Sequence, residues 1–197
     1  TVPILWDKKF RRIVNNESSD IIRMFNSSFK EYSSNEYDFF PEQHRNEIER
    51  MNAEIYTQVN NGVYKAGFAT SQEAYEKAYF EIFECLDKLE DTLSTRRYLL
   101  GDRLSEADWR LFTTLIRFDV VYYSHFKANR KRIEEYLNLS NYVRELYQFE
   151  GVSETVNFDQ IKRHYYYSHE AINPSRVVPI GPLVNFEAPH NREEIGS

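Results

Sequence analysis

The stretch LLGDRLSEADWRLF, residues 99–112, carries the clearest local structural signal in the chain. A helix is predicted to begin just after Ser105. The Ser105 hydroxyl can accept a hydrogen bond from the amide of Asp108, while the Asp108 carboxylate accepts one from the amide of Ser105. Apolar side chains then follow at helical spacing: Trp109, Phe112 and Ile116. The predicted helix therefore buries one face.

Helical periodicity also precedes this segment. One apolar stripe ends at Asn60-Asn61-Gly62, and a longer one follows a capping pattern formed by Thr70 and Glu73. The two stripes consist of Ile48, Met51, Ile55 and Val59, and of Tyr75, Tyr79, Ile82, Leu86, Leu89 and Leu93. Two amphipathic helices are therefore expected before residue 99.

Helical patterns continue after the segment as well. Shorter ones occupy 133–137 and 142–149, and a last helix is predicted to begin near Asn157. The chain therefore predicts a mostly α fold, with an all-helical bundle at 42–172 and an irregular, proline-containing tail at 173–197.

The first residues predict a β-hairpin followed by a helix. Thr1–Trp6 and Phe10–Val14 are typical of strands, with a turn at residues 7–9. Glu17 and Ser18 then open a helix. Its apolar face consists of Ile21, Ile22, Phe25 and Phe29. An isolated hairpin is marginally stable in water and its edges invite pairing, so we expect further strands ahead of this segment.

A linker is predicted between these two parts. Residues 30–41 lose helical periodicity, are rich in Ser, Asn and charged side chains, and end at Pro41, where a new helix can start. The sequence thus predicts the remnant of a first domain at 1–29, a linker, and the helical domain.

The composition disfavours several classes of protein. The chain carries 31 acidic against 25 basic side chains, and a formal net charge of -6 argues against nucleic-acid binding. The basic run at 127–132 is interpreted as a solvated connection. Neither a long apolar segment nor a signal-peptide pattern occurs, so we expect a soluble, cytoplasmic protein without membrane contact.

The single cysteine, Cys85, excludes an internal disulfide framework and suits a reducing compartment. It lies within a predicted helix, where no helix N-terminus lowers its pKa, and is interpreted as a packing residue. His164 and His169 lack the i, i+4 spacing of a zinc pair, and no further ligand completes a set. No metal site is predicted.

Four longer strings resemble one enzyme family. They are VPILWDKKFRRIVNNESSDIIRMF (2–25), NNGVYKAGFATSQEAYE (60–76), GDRLSEADWRLFTTLIRFDVVYYSHFK (101–127) and FDQIKRHYYYSHEAINPSRVVPIGP (158–182). They are similar to the glutathionyl-hydroquinone reductases, the Xi class of glutathione transferases. The resemblance implies a thioredoxin-like domain before the helical one, a homodimer, glutathione as co-substrate and a glutathionyl-hydroquinone as substrate.

The nucleophile of that family is absent from the sequence. The family has a cysteine in a Cys-Pro-Trp-Ala-type motif at the head of the first thioredoxin helix, and no such motif occurs here. The resemblance therefore implies that the chain is the C-terminal portion of a larger enzyme, that the catalytic cysteine lies upstream, and that the chain alone is inactive.

The resemblance also implies two glutathione-binding pairs. With a cis peptide bond before Pro3, the backbone of Val2 would pair with the cysteinyl unit of glutathione, although an edge-strand proline explains the same residues. The helix N-terminus at Glu17 and Ser18 would bind the γ-glutamyl carboxylate, and the Glu17 carboxylate the ligand ammonium. An ordinary helix start is the alternative.

Three tyrosines match family positions with catalytic roles. Tyr64, expected in a loop after Gly62, corresponds to the proton donor and acceptor of the family. The resemblance places Tyr122 and Tyr165 at the positions whose hydroxyls face the catalytic sulfur in that family. A phenol that stays neutral at pH 7 can stabilise a thiolate and exchange a proton with a hydroquinone of similar acidity. Packing is the alternative for each, and three adjacent tyrosines compete for the register: Tyr123, Tyr166 and Tyr167.

These features predict the glutathione-dependent reduction of glutathionyl-hydroquinones through a cysteine mixed disulfide. Two alternatives stay open. One is a transferase-like binding or assembly module without catalysis, and the other is a transferase that conjugates glutathione to substrates.

Overall fold

The computed structural model describes residues 2–33 and 36–195. The chain divides into two compact units, Thr1–Glu47 and Ile48–Ser197. The predicted start of the first strand at Thr1 lies outside the described residues, as do two positions of the predicted linker and the last two of the tail.

The first unit contains an antiparallel hairpin of β1 (Leu5–Asp7) and β2 (Arg12–Asn15). The turn is closed by the Asp7 carboxylate, whose Oδ1 accepts the amides of Lys9 at 2.8 Å and Phe10 at 2.9 Å. Both strands are shorter than predicted. Pro3 has no amide hydrogen to donate to the ladder, and Phe10 belongs to the turn.

One helix completes this unit. Helix α1 spans Ser18–Ser27, and Glu17 is its N-cap residue, so the predicted helix start is confirmed. The Asn26 side chain then holds the following segment, donating to Asp38 at 2.8 Å and accepting the amide of Phe39 at 2.9 Å. Short 3₁₀ turns lie at Lys30–Tyr32 and Glu42–His44.

The rest of the described chain is mostly helical as far as Ser168 and largely irregular beyond it. The helices are α2 (Arg45–Ile55), α3 (Gly62–Gly67), α4 (Gln72–Leu93), α5 (Glu106–Arg117), α6 (Leu137–Gln148) and α7 (Phe158–Ser168). Wide π turns at Tyr56–Asn60 and Phe118–Tyr122 follow α2 and α5, and 3₁₀ turns lie at Ile133–Glu135, Ser153–Thr155 and Arg192–Glu194. Within the described ranges, no helix combines the length and apolar character needed to cross a bilayer. The mostly α fold class is confirmed.

Several boundaries differ from the sequence prediction. The Asn60-Asn61-Gly62 segment does not end the helical region, because the π turn leads directly into α3. Ser71 rather than Thr70 caps α4, accepting the Ala74 amide on its hydroxyl at 3.2 Å. The pattern at 133–137 forms a 3₁₀ turn, and α6 begins at residue 137.

The capping box at the start of α5 is confirmed. The amide of Ser105 donates to the Asp108 carboxylate at 2.8 Å, and this carboxylate also accepts the Leu99 amide and the Tyr142 hydroxyl, each at 2.9 Å. Burial raises the pKa of Asp108, against the lowering effect of these hydrogen bonds. The same residue therefore caps one helix and links it to α6 and to the loop before α5.

The core of the second unit lies where α4 packs against α3 and α6. Ile82 and Leu86 are fully buried, and Phe112 is nearly so. The prediction for Trp109 is corrected, because its side chain is partly exposed and contacts Phe112 and Phe149 edge-on, with ring centroids 5.8 Å apart. It covers the rim of the core.

Basic side chains of the run at 127–132 form ion pairs and a ring contact within the chain. Arg130 pairs with Asp87 at 2.5 Å, Arg132 pairs with Glu134 at 2.6 Å, and Lys131 lies over the ring of Tyr136. These contacts compensate the positive charge locally, as a structural connection requires.

Candidate active site

A cleft of about 500 Å³ opens beside α5 and α7. Tyr64 reaches it from α3, Tyr122 from the end of the π turn that follows α5, and Tyr165 from α7. The other lining residues are Asn60, Thr113, Thr114, Arg117, Gln160, Ile161 and His164. A cleft of this volume can hold an aromatic ring with substituents.

The structure brings the three predicted tyrosine hydroxyls together. The hydroxyl oxygen of Tyr165 lies 2.6 Å from that of Tyr64 and 2.8 Å from that of Tyr122. Three phenols carry three hydroxyl protons, and the two bonds among them use two. One proton is therefore left to donate to a ligand or anion.

The three tyrosines differ in solvent exposure. Tyr122 is 2% exposed, Tyr165 is 5% exposed, and Tyr64 is 36% exposed. Burial is the main cause that raises the pKa of both Tyr122 and Tyr165, and the charge of a neighbouring phenolate would raise that of Tyr122 further. Both buried phenols are thus neutral at pH 7 and act as hydrogen-bond donors.

A buried phenylalanine holds the three rings in place. Phe126 is 0% exposed and stacks on Tyr122 with centroids 5.4 Å apart, while it contacts Tyr64 at 5.3 Å and Tyr165 at 5.9 Å. Its ring lies directly against the backbone of Gly67, where a Cβ would come within 2.3 Å of the ring carbons. Phe126 and Gly67 were both missed by sequence reasoning, although a glycine within a helix next to aromatic residues is a usable signal.

Tyr64 was predicted in a loop but lies in α3. The helical backbone fixes its direction, because α3 packs against α4. Of the competing tyrosines, Tyr166 is buried and hydrogen-bonds Ser124, whereas Tyr123 and Tyr167 do not line the cleft. The tyrosines that line the cleft are Tyr64, Tyr122 and Tyr165.

The predicted glutathione-binding residues lie in the first unit. The Val2–Pro3 peptide bond is cis, and Val2 is exposed. The Glu17 carboxylate accepts the Ser19 amide at 3.4 Å and lies 3.5 Å from the Ser18 hydroxyl oxygen. Glu17 thus occupies the helix N-terminus itself, so a ligand carboxylate would bind there only after this side chain turns away.

Cys85 is 1% exposed within α4. Burial raises the pKa of its thiol to about 12, and the charge of Glu54 adds to the effect. Such a thiol is protonated at pH 7 and has no access to a substrate, so it packs in the core.

Two of the histidines, His125 and His169, lie in contact with each other. His125 Nε2 and His169 Nδ1 are 3.2 Å apart, and the rings stack. No group of three or more His, Cys, Asp or Glu side chains converges in the part of the chain that the structure describes.

Comparison with known proteins places this architecture in a family. The family model of the glutathione S-transferase C-terminal domain matches residues 72–145. A Corynebacterium glutamicum structure, provisionally named a glutathione S-transferase, is 46% identical with a TM-score of 0.96, covering 100% of this chain and 67% of that one. The chain belongs to the glutathione S-transferase family.

Within this family it is similar to Xi-class members. It is 52% identical over 98% of its length to the glutathionyl-hydroquinone reductase YqjG of Escherichia coli, whose glutathione-bound structure matches with a TM-score of 0.96 and is covered to 63%. A Xi-class transferase from Natrialba magadii is 49% identical with a TM-score of 0.96, over 99% of this chain and 60% of that one. The chain spans 59% of the length of the Escherichia coli relative.

Proposed function

We propose that the chain is part of an enzyme that reduces glutathionyl-hydroquinones to hydroquinones with glutathione. The observation that carries this proposal is the three-phenol cluster at a cleft of ring size, in a chain 52% identical to a relative named for that activity. A phenol cluster supplies protons without a fixed charge, as the release of a neutral hydroquinone requires.

The proposed reaction has two steps, and in each a thiolate attacks the sulfur atom of a glutathionyl group. An enzyme thiolate attacks the glutathione sulfur of the conjugate, and the bond between that sulfur and the ring carbon breaks. Its electron pair goes to the ring carbon, which takes a proton and becomes a C–H group. A second glutathione thiolate attacks the resulting mixed disulfide, which yields glutathione disulfide and restores the enzyme thiolate.

The attacking thiol in this proposal is not Cys85, because that thiol is buried and protonated. We place it in a Cys-Pro-Trp-Ala-type motif of a thioredoxin-like region outside these 197 residues. The relatives are longer than the matched segment, so they have room for such a region. Turnover then requires that region together with this chain.

Two proton arrangements of the cluster would serve the two steps. When Tyr64 and Tyr122 both donate to Tyr165, the Tyr165 hydroxyl points its own proton outward, towards a thiolate. When Tyr122 donates to Tyr165 and Tyr165 donates to Tyr64, the free proton is on the most exposed phenol. Tyr64 is then the general acid that protonates the leaving ring.

Glutathione is proposed to bind the first unit through the Val2 backbone next to cis-Pro3, and through the N-terminus of α1 with Glu17 and Ser18. The glutathione-bound structure of the Escherichia coli relative supports this ligand. A homodimer and a cytoplasmic location remain part of the proposal.

A chimera tests the proposal. The part of YqjG that has no counterpart here is joined to this chain, and the chimera is given 2-glutathionyl-hydroquinone and glutathione. We expect one hydroquinone and one glutathione disulfide per turnover, while either fragment alone is inactive. A chimera that conjugates 1-chloro-2,4-dinitrobenzene but reduces nothing would identify a conjugating transferase. A folded chimera without either activity would favour a binding module.

A further inference from the structure

The cleft has an unusual charge distribution for an acidic protein. Acidic side chains outnumber basic ones in the sequence, 31 to 25. Of the described residues that line the cleft, none is acidic, and Arg117 is the fully cationic one. The wall that faces a bound ring thus has a positive character that the chain as a whole lacks.

Arg117 lies where two hollows meet. A second hollow of about 230 Å³ adjoins the cleft, and four residues line both: Thr113, Arg117, Gln160 and Ile161. The second hollow is also free of acidic side chains among the described residues. A group bound to Arg117 can therefore project from a ring in the larger hollow towards the smaller one.

Most N–H donors of the Arg117 guanidinium make no hydrogen bond to the described residues. Its Nη1 donates to the Thr113 carbonyl at 2.5 Å, and no carboxylate of residues 2–33 and 36–195 pairs with it. Its neighbours differ, because Arg110 pairs with Glu106 at 3.4 Å and Arg163 pairs with Asp159 at 2.8 Å. A guanidinium has five N–H donors, so four of them have no hydrogen-bond partner among the described residues, in a side chain that lines both hollows.

A cation in the last turn of α5 also stabilises the helix, and the bond to Thr113 is of this kind. That role accounts for one donor. It does not account for two adjoining hollows that both lack acidic side chains, with one arginine between them.

We propose that Arg117 binds a carboxylate on the ring of the substrate, so that the enzyme selects glutathionyl conjugates of hydroquinone carboxylic acids. This inference rests on the proposed function and names its substrate class. The planar fork of a guanidinium matches a carboxylate in a bidentate arrangement. The ring then lies in the larger hollow beside Tyr64, and its carboxylate lies at the junction.

The matched pair of 2,5-dihydroxybenzoate and 2,5-dihydroxybenzamide isolates the charge. Calorimetric titration of the 197-residue chain should show the acid binding about tenfold or more tightly than the amide, the usual effect of a charge-assisted pair. Arg117→Gln should abolish the difference without weakening the amide, and Arg117→Lys should keep part of it. Arg163→Gln, on the exposed side of α7, is the control and should behave like the unsubstituted chain.

Equal affinity for acid and amide, or an Arg117→Gln chain that retains the preference, would overturn the inference and leave the proposed function standing. Failure of both compounds to bind a chain with a native circular dichroism spectrum would also overturn the inference, because the cleft would not accept a hydroquinone ring, and the chimera assay would then decide the proposed function separately. Thermal unfolding of each variant establishes that the fold is kept.

Discussion

Replacing Gly67 with alanine should displace the Phe126 ring and thereby disturb the packing of the three cleft tyrosines. A Cβ at this position would lie 2.3 Å from Cδ1 and Cγ of Phe126 and 2.9 Å from its Cβ, where carbon atoms normally stay at least about 3.4 Å apart. The ring must therefore move by about 1 Å or more, and it is fully buried. Overpacking of this kind costs about 1–3 kcal/mol or more, partly offset by up to about 1 kcal/mol from the better helix propensity of alanine.

After this offset, the net destabilisation expected for Gly67→Ala is about 0.5–2 kcal/mol, which lowers the melting temperature by roughly 1–8 °C in a chain of this size. Gly62→Ala in the same helix is the matched control, because its Cβ would lie 3.1 Å from Ile82 Cγ1, a side-chain atom that can yield slightly. Phe126→Leu should lessen the effect of Gly67→Ala in the double variant. A Gly67→Ala chain as stable as the unsubstituted one, with the same tyrosine environment by near-ultraviolet circular dichroism, would refute this reasoning.

Three further results are expected. Burial, followed by the charges of His169 and Lys127, lowers the pKa of His125 to about 4, so the unfolded chain takes up a proton near pH 6.5 before the folded chain does. The contribution of this histidine should therefore fall by about 2–3 kcal/mol between pH 6.5 and 4, measured as the difference between the unsubstituted chain and His125→Phe in urea titrations, because the raised pKa of Asp119 changes stability in the opposite direction over the same range. Cys85 should be inert to a thiol-reactive disulfide reagent at pH 8 and react fully in denaturant; fast reaction of the folded chain would contradict its burial. In the chimera, Tyr165→Phe should raise the pKa of the catalytic thiol by about one to two units, measured by thiolate absorbance, and Tyr122→Phe should raise it by less because Tyr122 acts through Tyr165; an unchanged pKa in both variants would leave these residues a packing role.

Local patterns in the sequence are sufficient to predict much of the fold. The Ser105–Asp108 capping box depends on neighbouring residues and is found as predicted. The apolar stripe of α4 is found in its second half, from Ile82 to Leu93, whereas Tyr75 and Tyr79 are only partly buried. Tyr64 shows the limit of this approach. Asn60-Asn61-Gly62 is typical of a helix end, yet packing against α4 keeps the chain helical through a π turn.

The candidate site was partly accessible from sequence. A family resemblance indicated the three tyrosines, but their hydrogen bonds join residues 43 and 101 positions apart, which periodicity cannot reveal. The same holds for Phe126 on Gly67 and for the isolation of Arg117 from carboxylates, since both depend on how α3, α5 and α7 come together. Glu17 shows a further effect, because its side chain caps the helix that it was expected to leave open for a ligand.

In the proposed mechanism the phenol cluster delivers a proton to the departing ring through Tyr64. Single-turnover release of hydroquinone from 2-glutathionyl-hydroquinone by the chimera tests this role, with Tyr64→Phe compared against Tyr167→Phe, an exposed tyrosine outside the cleft. We predict that Tyr64→Phe slows release about a hundredfold or more, the usual effect of losing a general acid, while Tyr167→Phe leaves it unchanged. Release at an unchanged rate in Tyr64→Phe would contradict the claim and leave this tyrosine a packing residue.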